Sequence, residues 1–140
     1  MDGRQFLDSA RRMAQGRVEA DWRTAAGRAY YALFIESRDA LLRWGCTIPP
    51  RDNVHHFVRL RFALAALSEL KQVGGMLDTL CQFRNRADYK TAVTGQFGNN
   101  AAAQQAVKDA ESAIALLDQI EADAARRAAA IAAIQATITP

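Results

Sequence analysis

Proline occurs at only three positions of this 140-residue chain: Pro49, Pro50 and the final residue. Because proline breaks helices, the long stretches between these positions are free to be helical. The chain also contains 29 alanines, and alanine has the highest helix propensity of any residue. No stretch alternates polar and apolar residues over the length of a strand. Together these features predict an all-α fold.

A chain of this length forms one domain with a sizeable core, so residues 1–140 are treated as a single unit. Half of the residues are hydrophobic and 24% are charged, which excludes a disordered chain. The sequence has neither a membrane-spanning apolar run nor a start typical of signal peptides. Its two cysteines, Cys46 and Cys81, require no disulfide. We therefore expect a cytoplasmic protein without a membrane partner.

Hydrophobic spacing predicts five helical segments, at about 2–15, 19–44, 53–60, 68–88 and 101–135. The second is apolar on two faces, which is typical of the central helix of a bundle or of a subunit interface. The last is rich in alanine and would be about 50 Å long if unbroken. We expect it to break near residues 121–125, to fray, or to pack on another subunit. The core then covers about 2–120, with 121–140 as a C-terminal extension.

Two further local expectations concern the middle of the chain. Either Asp52 or Asn53 can cap the third helix, since both residue types favour helix N-termini. The pair Gly74 and Gly75 lies near the start of the fourth helix and marks either a kink or the true helix entrance.

The charge is unevenly distributed. The net charge is +3, but residues 1–90 carry 15 basic and 10 acidic residues, whereas residues 91–140 carry 3 and 5. Of the 18 basic residues 15 are arginine, which can bind phosphate with two parallel hydrogen bonds. A compositional bias toward arginine and alanine explains the same numbers, and a charge of +5 over ninety residues produces only a weak field.

Most signatures of enzymes and metal sites are absent from the sequence. It contains no glycine-rich phosphate loop and no cysteine pair at zinc spacing. His55 and His56 are adjacent, so on a helix they point about 100° apart and cannot chelate one ion. We expect this pair on a helix surface and Cys81 as a buried, inert thiol. The sequence predicts neither a metal site nor a cofactor.

One polar cluster directly follows the apolar stripe of the fourth helix, in residues 83–90 (Phe-Arg-Asn-Arg-Ala-Asp-Tyr-Lys). Arg84 and Asp88 are four residues apart and share a helix face, and Asn85 and Tyr89 share the neighbouring face. The structural interpretation is an Arg–Asp pair on the final helical turn, with the basic residues placed favourably at a helix C-terminus.

A second cluster lies inside the second helix, where Arg28 precedes the adjacent pair Tyr30 and Tyr31. An arginine in a nearly apolar helix needs an anion, because a buried unpaired charge is very costly. The structural interpretation is a buried contact of Arg28, or of a tyrosine, with Asp88. The functional interpretation is that Arg28 joins Arg84 around a phosphate.

Taken together, the two clusters resemble the HEPN superfamily, small helical domains named for higher eukaryote and prokaryote nucleotide binding. Residues 28–34 (Arg-Ala-Tyr-Tyr-Ala-Leu-Phe) resemble the signature of that family's second helix. Residues 84–89 (Arg-Asn-Arg-Ala-Asp-Tyr) resemble the Arg-x-x-Ala-Asp-Tyr form of a prokaryotic branch. The resemblance covers about residues 2–120.

The resemblance implies an up-down bundle of four to five helices that forms a homodimer. Catalytic members are metal-independent ribonucleases, in which an arginine is followed after four to six residues by a histidine. The motifs of two subunits face each other across the dimer. Many members are toxins of toxin–antitoxin pairs, often encoded beside a nucleotidyltransferase, and others act in antiviral defence.

Carried over by position, Arg84 matches the family's arginine and Asn85 matches the polar residue after it. Tyr89 stands where the histidine is expected. Histidine can act as both acid and base near neutral pH, whereas tyrosine has a pKa of about 10. Losing a general acid–base group typically lowers a rate by about 10²–10⁴-fold. Arg84 and Tyr89 also lie about 140° apart on an ideal helix.

Three hypotheses follow. In the first, the chain is a catalytically degenerate domain of a toxin–antitoxin or defence system that binds RNA or a nucleotide, or docks an antitoxin, a nucleotidyltransferase or another operon-encoded protein. Arg28, Arg84, Asn85 and Arg86 would make the phosphate contacts. In the second, the chain is a metal-independent endoribonuclease that uses Arg84, Asn85, Tyr89 and Asp88. In the third, the chain is a helical accessory subunit and the cluster only holds helices together.

Overall fold

The computed structural model describes residues 2–92 and 95–138 and confirms the all-α prediction. Six helices follow one another along the chain: α1 (Gly3–Ala14), α2 (Glu19–Arg43), α3 (Val54–Leu64), α4 (Ser68–Tyr89), α5 (Ala101–Ala122) and α6 (Ala124–Ala136). Short 3-10 turns at Arg51–Asn53 and Gly95–Phe97 precede α3 and α5, and the described ranges contain no strand. Within these ranges, no helix combines the length and the apolar character that a membrane crossing requires.

Helix α1 begins at a capping box, in which the Asp2 carboxylate accepts from the Gln5 backbone and the Gln5 side chain accepts from the Asp2 backbone. Its buried side chains Leu7, Ala10 and Ala14 lie one turn apart and pack on α2. The helix ends just before Gly16, whose carbonyl oxygen accepts a hydrogen bond from the Trp22 indole at 2.9 Å. This bond fixes the turn into α2.

Helix α2 is the centre of the bundle and packs against α1, α4 and α5. The main apolar stripe of α2 repeats every three or four residues, and all six of its members are buried: Ala26, Tyr30, Leu33, Phe34, Ser37 and Leu41. On a second face of α2, Ile35 is buried and Tyr31 is half-buried, whereas Arg28 and Leu42 are exposed. The other buried positions of α2 are mostly alanines, whose side chains are short. Three neighbouring helices can therefore pack close to its backbone.

Helices α3 and α4 form a hairpin joined at residues 65–67. Asn53 occupies the N-cap position of α3, but its side chain forms no capping hydrogen bond. Helix α4 runs through both glycines, so the pair does not mark a helix entrance. At Gly74 the two helices are so close that an added Cβ would lie 2.7 Å from the Ala63 backbone nitrogen. The glycine at position 74 is therefore a packing requirement of the hairpin.

The predicted break near residues 121–125 is confirmed, because α5 ends at Ala122 and α6 begins at Ala124. Asp123 has an extended backbone between them, and its side chain accepts from the Arg126 backbone at 3.0 Å. Helix α6 then packs against α5 and α3 and buries Ala130 and Ile134 completely. Residues 124–136 thus form a packed element of the bundle.

Glu121 joins the ends of α2, α5 and α6. Its carboxylate accepts hydrogen bonds from the Trp44 indole at 2.7 Å, the Arg127 guanidinium at 2.9 Å and the Arg43 guanidinium at 3.2 Å. Burial alone would raise the pKa of Glu121, but the hydrogen bonds from Arg127 and Trp44 outweigh it and lower the pKa. The carboxylate therefore stays charged and holds the C-terminal helices to the bundle.

The two adjacent glycines of α4 provide a test of the hairpin packing. We expect Gly74→Ala to lower the free energy of unfolding by about 1–3 kcal/mol, because the new methyl group would press on the α3 backbone. We expect Gly75→Ala to raise it by about 0.5–1 kcal/mol, because a Cβ at this position meets nothing within 4 Å and alanine favours the helix. Urea unfolding followed by circular dichroism measures both values. Changes of the same sign in the two variants would contradict this packing.

Candidate functional site

The two clusters singled out in the sequence meet between α2 and the last turns of α4. Arg84 Nη2 donates to the Tyr31 hydroxyl at 3.3 Å, and the Arg84 guanidinium carbon lies 5.2 Å from the centre of the Tyr31 ring. Only 21% of the Arg84 side chain is exposed. Arg84 therefore lies at the edge of the core and is turned toward α2.

Asp88 neutralises this guanidinium. Its Oδ2 atom lies 3.2 Å from Arg84 Nε, so the predicted i, i+4 pair is present. The contact is an ion pair without good hydrogen-bond geometry, and the buried Nε of Arg84 has no hydrogen-bond partner among the described residues. One N–H donor of the guanidinium therefore has no hydrogen bond among the described residues.

A cleft of about 310 Å³ opens beside this pair, between α1, α2 and the end of α4. Its lining residues are Phe6, Thr24, Gly27, Arg28, Tyr31 and Asp88. The stem of Arg84 passes near the cleft floor, because a Cβ added to Gly27 would lie 3.9 Å from Arg84 Cγ. The cleft therefore combines two aromatic rings with one positive and one negative side chain.

The expectation of a buried Arg28 paired with Asp88 is wrong. Arg28 is exposed at the mouth of the cleft, and its guanidinium lies 5.4 Å from the centre of the Phe6 ring. Asp88 pairs with Arg84 instead. The physical reason is the rotation of α2, which turns position 28 toward solvent beside α1. Arg28 therefore needs no internal anion, and its charge faces the cleft opening.

The buried arginine of α2 is Arg23, which the sequence analysis did not single out. Its side chain is 11% exposed and pairs with Glu19 at 2.8 Å. Its Nη1 donates to the Ala87 carbonyl oxygen at 2.8 Å and to the Arg86 carbonyl oxygen at 3.3 Å. Both carbonyls belong to the last turn of α4, where a helix leaves acceptors short of partners, although the Arg86 carbonyl also accepts from the Lys90 backbone at 3.1 Å. Arg23 therefore fixes the turn that carries Asp88.

Three other predicted site residues lie outside the cleft. Asn85 is exposed, with its amide 3.9 Å from Cys81 Sγ, and Arg86 Nε donates to Gln96 at 2.7 Å. Tyr89 is 73% exposed. Because α4 stays helical through Tyr89, the ring points away from Arg84, as the 140° separation requires. Within one chain, Arg84 and Tyr89 do not converge on one point.

Sequence reasoning also missed His55, because the expectation of a surface position is wrong for this residue. Its ring is half-buried and stacks on Phe34 with a centroid distance of 4.1 Å. His55 Nδ1 shares a hydrogen bond of 2.7 Å with the hydroxyl of Tyr30, which is fully buried and needs a polar partner. The available signal was spacing: position 55 shares a helical stripe with the buried residues Val58 and Phe62.

The neighbouring histidine behaves as expected, because His56 is exposed. Burial, assisted by the positive charges of Arg84 and Arg59, lowers the pKa of His55. Burial also raises the pKa of Tyr30, so its hydroxyl stays protonated. The site therefore holds a neutral imidazole at neutral pH.

Cys81 was expected to be a buried thiol, and its side chain is half-buried rather than fully buried.

Comparison of the chain with protein-family models, with curated proteins and with solved structures finds no match. Within residues 2–92 and 95–138, no group of three or more His, Cys, Asp or Glu side chains is arranged to hold a metal ion. The arguments about function therefore start from the cleft and its side chains.

The lowered pKa of His55 makes stability depend on pH. The unfolded chain takes up the proton near the usual value of 6.5, before the folded chain does. The contribution of neutral His55 is complete above this value and is lost as the pH falls through the lower folded pKa. Between about pH 8 and about pH 5, we expect the urea midpoint of the parent protein to fall more steeply than that of His55→Gln. His56→Gln is the matched control and should keep the parent's slope. If the urea midpoint changes equally with pH in all three proteins, His55 is not the group whose pKa is lowered by folding.

Proposed function

We propose that this chain is a HEPN-like helical domain that binds the phosphate groups of RNA or of a nucleotide in the cleft between α1, α2 and α4. The observation that carries the proposal is the state of Arg84, whose half-buried guanidinium has a buried Nε donor without a hydrogen bond beside an open cleft. A guanidinium that is already oriented by Tyr31 loses little freedom when it binds an anion.

Asp88 is the internal competitor of such a ligand. Its carboxylate occupies the side of Arg84 that a phosphate oxygen would use, and its side chain is 41% exposed, so it can swing into solvent. In the free protein Asp88 balances the charge of Arg84 and avoids the penalty of a partly buried unpaired cation. The bound phosphate would take over that role.

The remaining groups of the cleft suit a nucleic acid. Arg28 supplies a second positive charge at the mouth. Phe6 and Tyr31 provide ring faces on which an unpaired base can stack, the usual mode of single-stranded RNA recognition. Arg86 and Asn85 lie on the outer side of α4 and would contact only RNA that extends beyond the cleft.

The biological setting of the proposal comes from the resemblance. It comprises a homodimer, a role in a toxin–antitoxin or antiviral defence system, and an operon-encoded partner such as an antitoxin or a nucleotidyltransferase. The alternative of a purely structural accessory subunit predicts that Arg84 contributes to stability alone.

The binding proposal is tested with fluorescently labelled single-stranded RNA and anisotropy at about 50 mM salt. We expect Arg84→Ala to weaken binding about tenfold or more, because a charge-assisted contact is lost. We expect Asp88→Asn to strengthen binding about two- to fivefold, because the competing carboxylate is removed.

Arg12→Ala is the matched control for Arg84→Ala, and Asp8→Asn is the matched control for Asp88→Asn. Each control makes the same change in net charge, but its residue lies on α1 and does not line the cleft. Neither should alter affinity as its counterpart does. If Arg84→Ala lowers the melting temperature while RNA binding is absent from the parent, the structural alternative is correct.

The position of His55 favours endoribonuclease activity as a second candidate function. The imidazole belongs to the same aromatic cluster as Tyr31, at a centroid distance of 5.9 Å, and is kept neutral by burial and by Arg84. A neutral imidazole can take the proton of a ribose 2′-hydroxyl, whose oxygen then attacks the adjacent phosphorus. The products are a 2′,3′-cyclic phosphate and a 5′-hydroxyl, with water supplying the proton of the leaving oxygen.

Cleavage of labelled RNA in the presence of EDTA tests this candidate. We expect His55→Gln to reduce the cleavage rate about 10²-fold or more, because the general base is removed. Tyr89→Phe should leave the rate unchanged. If Tyr89→Phe lowers the rate and His55→Gln does not, Tyr89 carries out the proton transfer. If the parent protein leaves the RNA intact, the endoribonuclease candidate is wrong and only the binding proposal remains.

A further inference from the structure

A second concave surface lies away from the cleft, on the outer side of the α3–α4 hairpin. This groove has a volume of about 440 Å³. Its α3 wall contains Arg59, Leu60 and Ala63, and its α4 wall contains Lys71 and Gly75. The lining positions on both helices repeat every three or four residues, so the groove follows the helix axes for two turns, roughly 10 Å.

Gly75 lies exposed on the α4 wall of this groove and has no packing role among the described residues. A Cβ at this position would meet nothing within 4 Å, in contrast to Gly74 next to it. A glycine inside a helix costs about 0.5–1 kcal/mol relative to alanine, and nothing in the described structure offsets this cost. A bare backbone on the wall of a groove permits another chain to approach closely, which is the usual use of small residues between helices.

The rim of the groove is mostly basic. Lys71 and Arg59 stand on opposite helices, and His56 lies at one end. The acidic residue of the rim, Asp78, is already engaged, because Arg59 lies 3.7 Å from its carboxylate and Gln82 donates to it at 2.8 Å. Arg59 and Asp78 therefore offset each other, and Lys71 gives the rim its net positive charge.

Apolar surface continues beyond the groove along α3. Leu60 lines the groove, and Leu64 follows it one turn later with 55% of its surface exposed. The two leucines share a helix face because they are four residues apart. An occupant would bury this apolar strip between the two basic side chains.

We propose that the groove between α3 and α4 docks an amphipathic helix of a partner protein, with an apolar stripe facing Leu60 and Gly75 and with Asp or Glu side chains facing Lys71 and Arg59. The straight course of the groove favours a helix, whose residues i, i+3 or i+4, and i+7 would match its length. The positive rim selects an acidic partner. This site is separate from the cleft of Arg84, so it does not depend on RNA binding.

The test uses three synthetic helical peptides with the same leucine stripe, flanked by Glu, by Gln or by Lys. Each is titrated to about 1 mM into the isotope-labelled full chain, and amide resonances are followed by nuclear magnetic resonance. We expect the Glu peptide to bind at least about tenfold more tightly than the Gln peptide. The Gly74 and Gly75 amides should shift most, and the amides around Arg84 should not.

Two variants localise the interaction. Gly75→Leu adds a bulky side chain to the α4 wall, where a Cβ meets nothing within 4 Å, and should abolish binding while the helical circular dichroism stays unchanged. Arg59→Glu combined with Lys71→Glu should reverse the preference in favour of the Lys peptide. Arg12→Glu with Lys108→Glu changes the net charge equally outside this groove and should keep the parent's preference.

Three results would overturn the proposal. The first is equal binding of the Glu and Gln peptides, or no binding of either at the highest concentration. The second is a set of shifts centred on Tyr31 and Arg84. The third is self-association of the parent chain that Gly75→Leu abolishes, which would assign the groove to a second copy of the chain.

Discussion

The burial of α2 on several sides is the constraint on which the rest of the structure depends. A helix surrounded by α1, α4 and α5 has little contact with water, so its polar side chains need partners inside the protein, although the buried hydroxyl of Ser37 has none among the described residues. The fully buried hydroxyl of Tyr30 is satisfied by His55 of α3, and that of Tyr31 receives a hydrogen bond from Arg84 of α4. Because the two tyrosines of α2 need hydrogen-bond partners, His55 and Arg84 lie side by side against this helix, where a functional site can form.

Two arginines, Arg23 and Arg84, connect α2 and α4 through different kinds of contact. Arg23 reaches from α2 to the carbonyl oxygens at the end of α4, and its guanidinium stacks over Phe97 at 4.3 Å. Arg84 reaches from α4 to the aromatic surface of α2. The contact of Arg23 fixes the last turn of α4 in position. The contact of Arg84 holds its guanidinium against the aromatic rings of α2, beside the cleft. Such prior fixation lowers the entropy lost when an anion binds.

The sequence was sufficient for the helices and insufficient for the orientation of individual side chains. Sparse proline and the stripe of α2 predicted the bundle, and the length of the C-terminal segment predicted the break at Asp123. Arg84 and Asp88 were found because i, i+4 spacing is a local property. Arg28 was expected to be buried although it is exposed, and Arg23 was not singled out, since an all-round apolar helix gives no sign of which arginine faces a neighbour. His55 was misplaced because its partner, Tyr30, lies on another helix.

The packing of α2 against α5 has a consequence for synthesis of the chain. The first two helices emerge from the ribosome early, and their mutual contacts are local. The face of α2 that α5 covers stays uncovered until a much later part of the chain has been made, because α3 and α4 lie between them. During this interval an apolar surface is open to chaperones and to neighbouring nascent chains. Slow translation before residue 101 would therefore prolong the period in which this chain is most prone to aggregate.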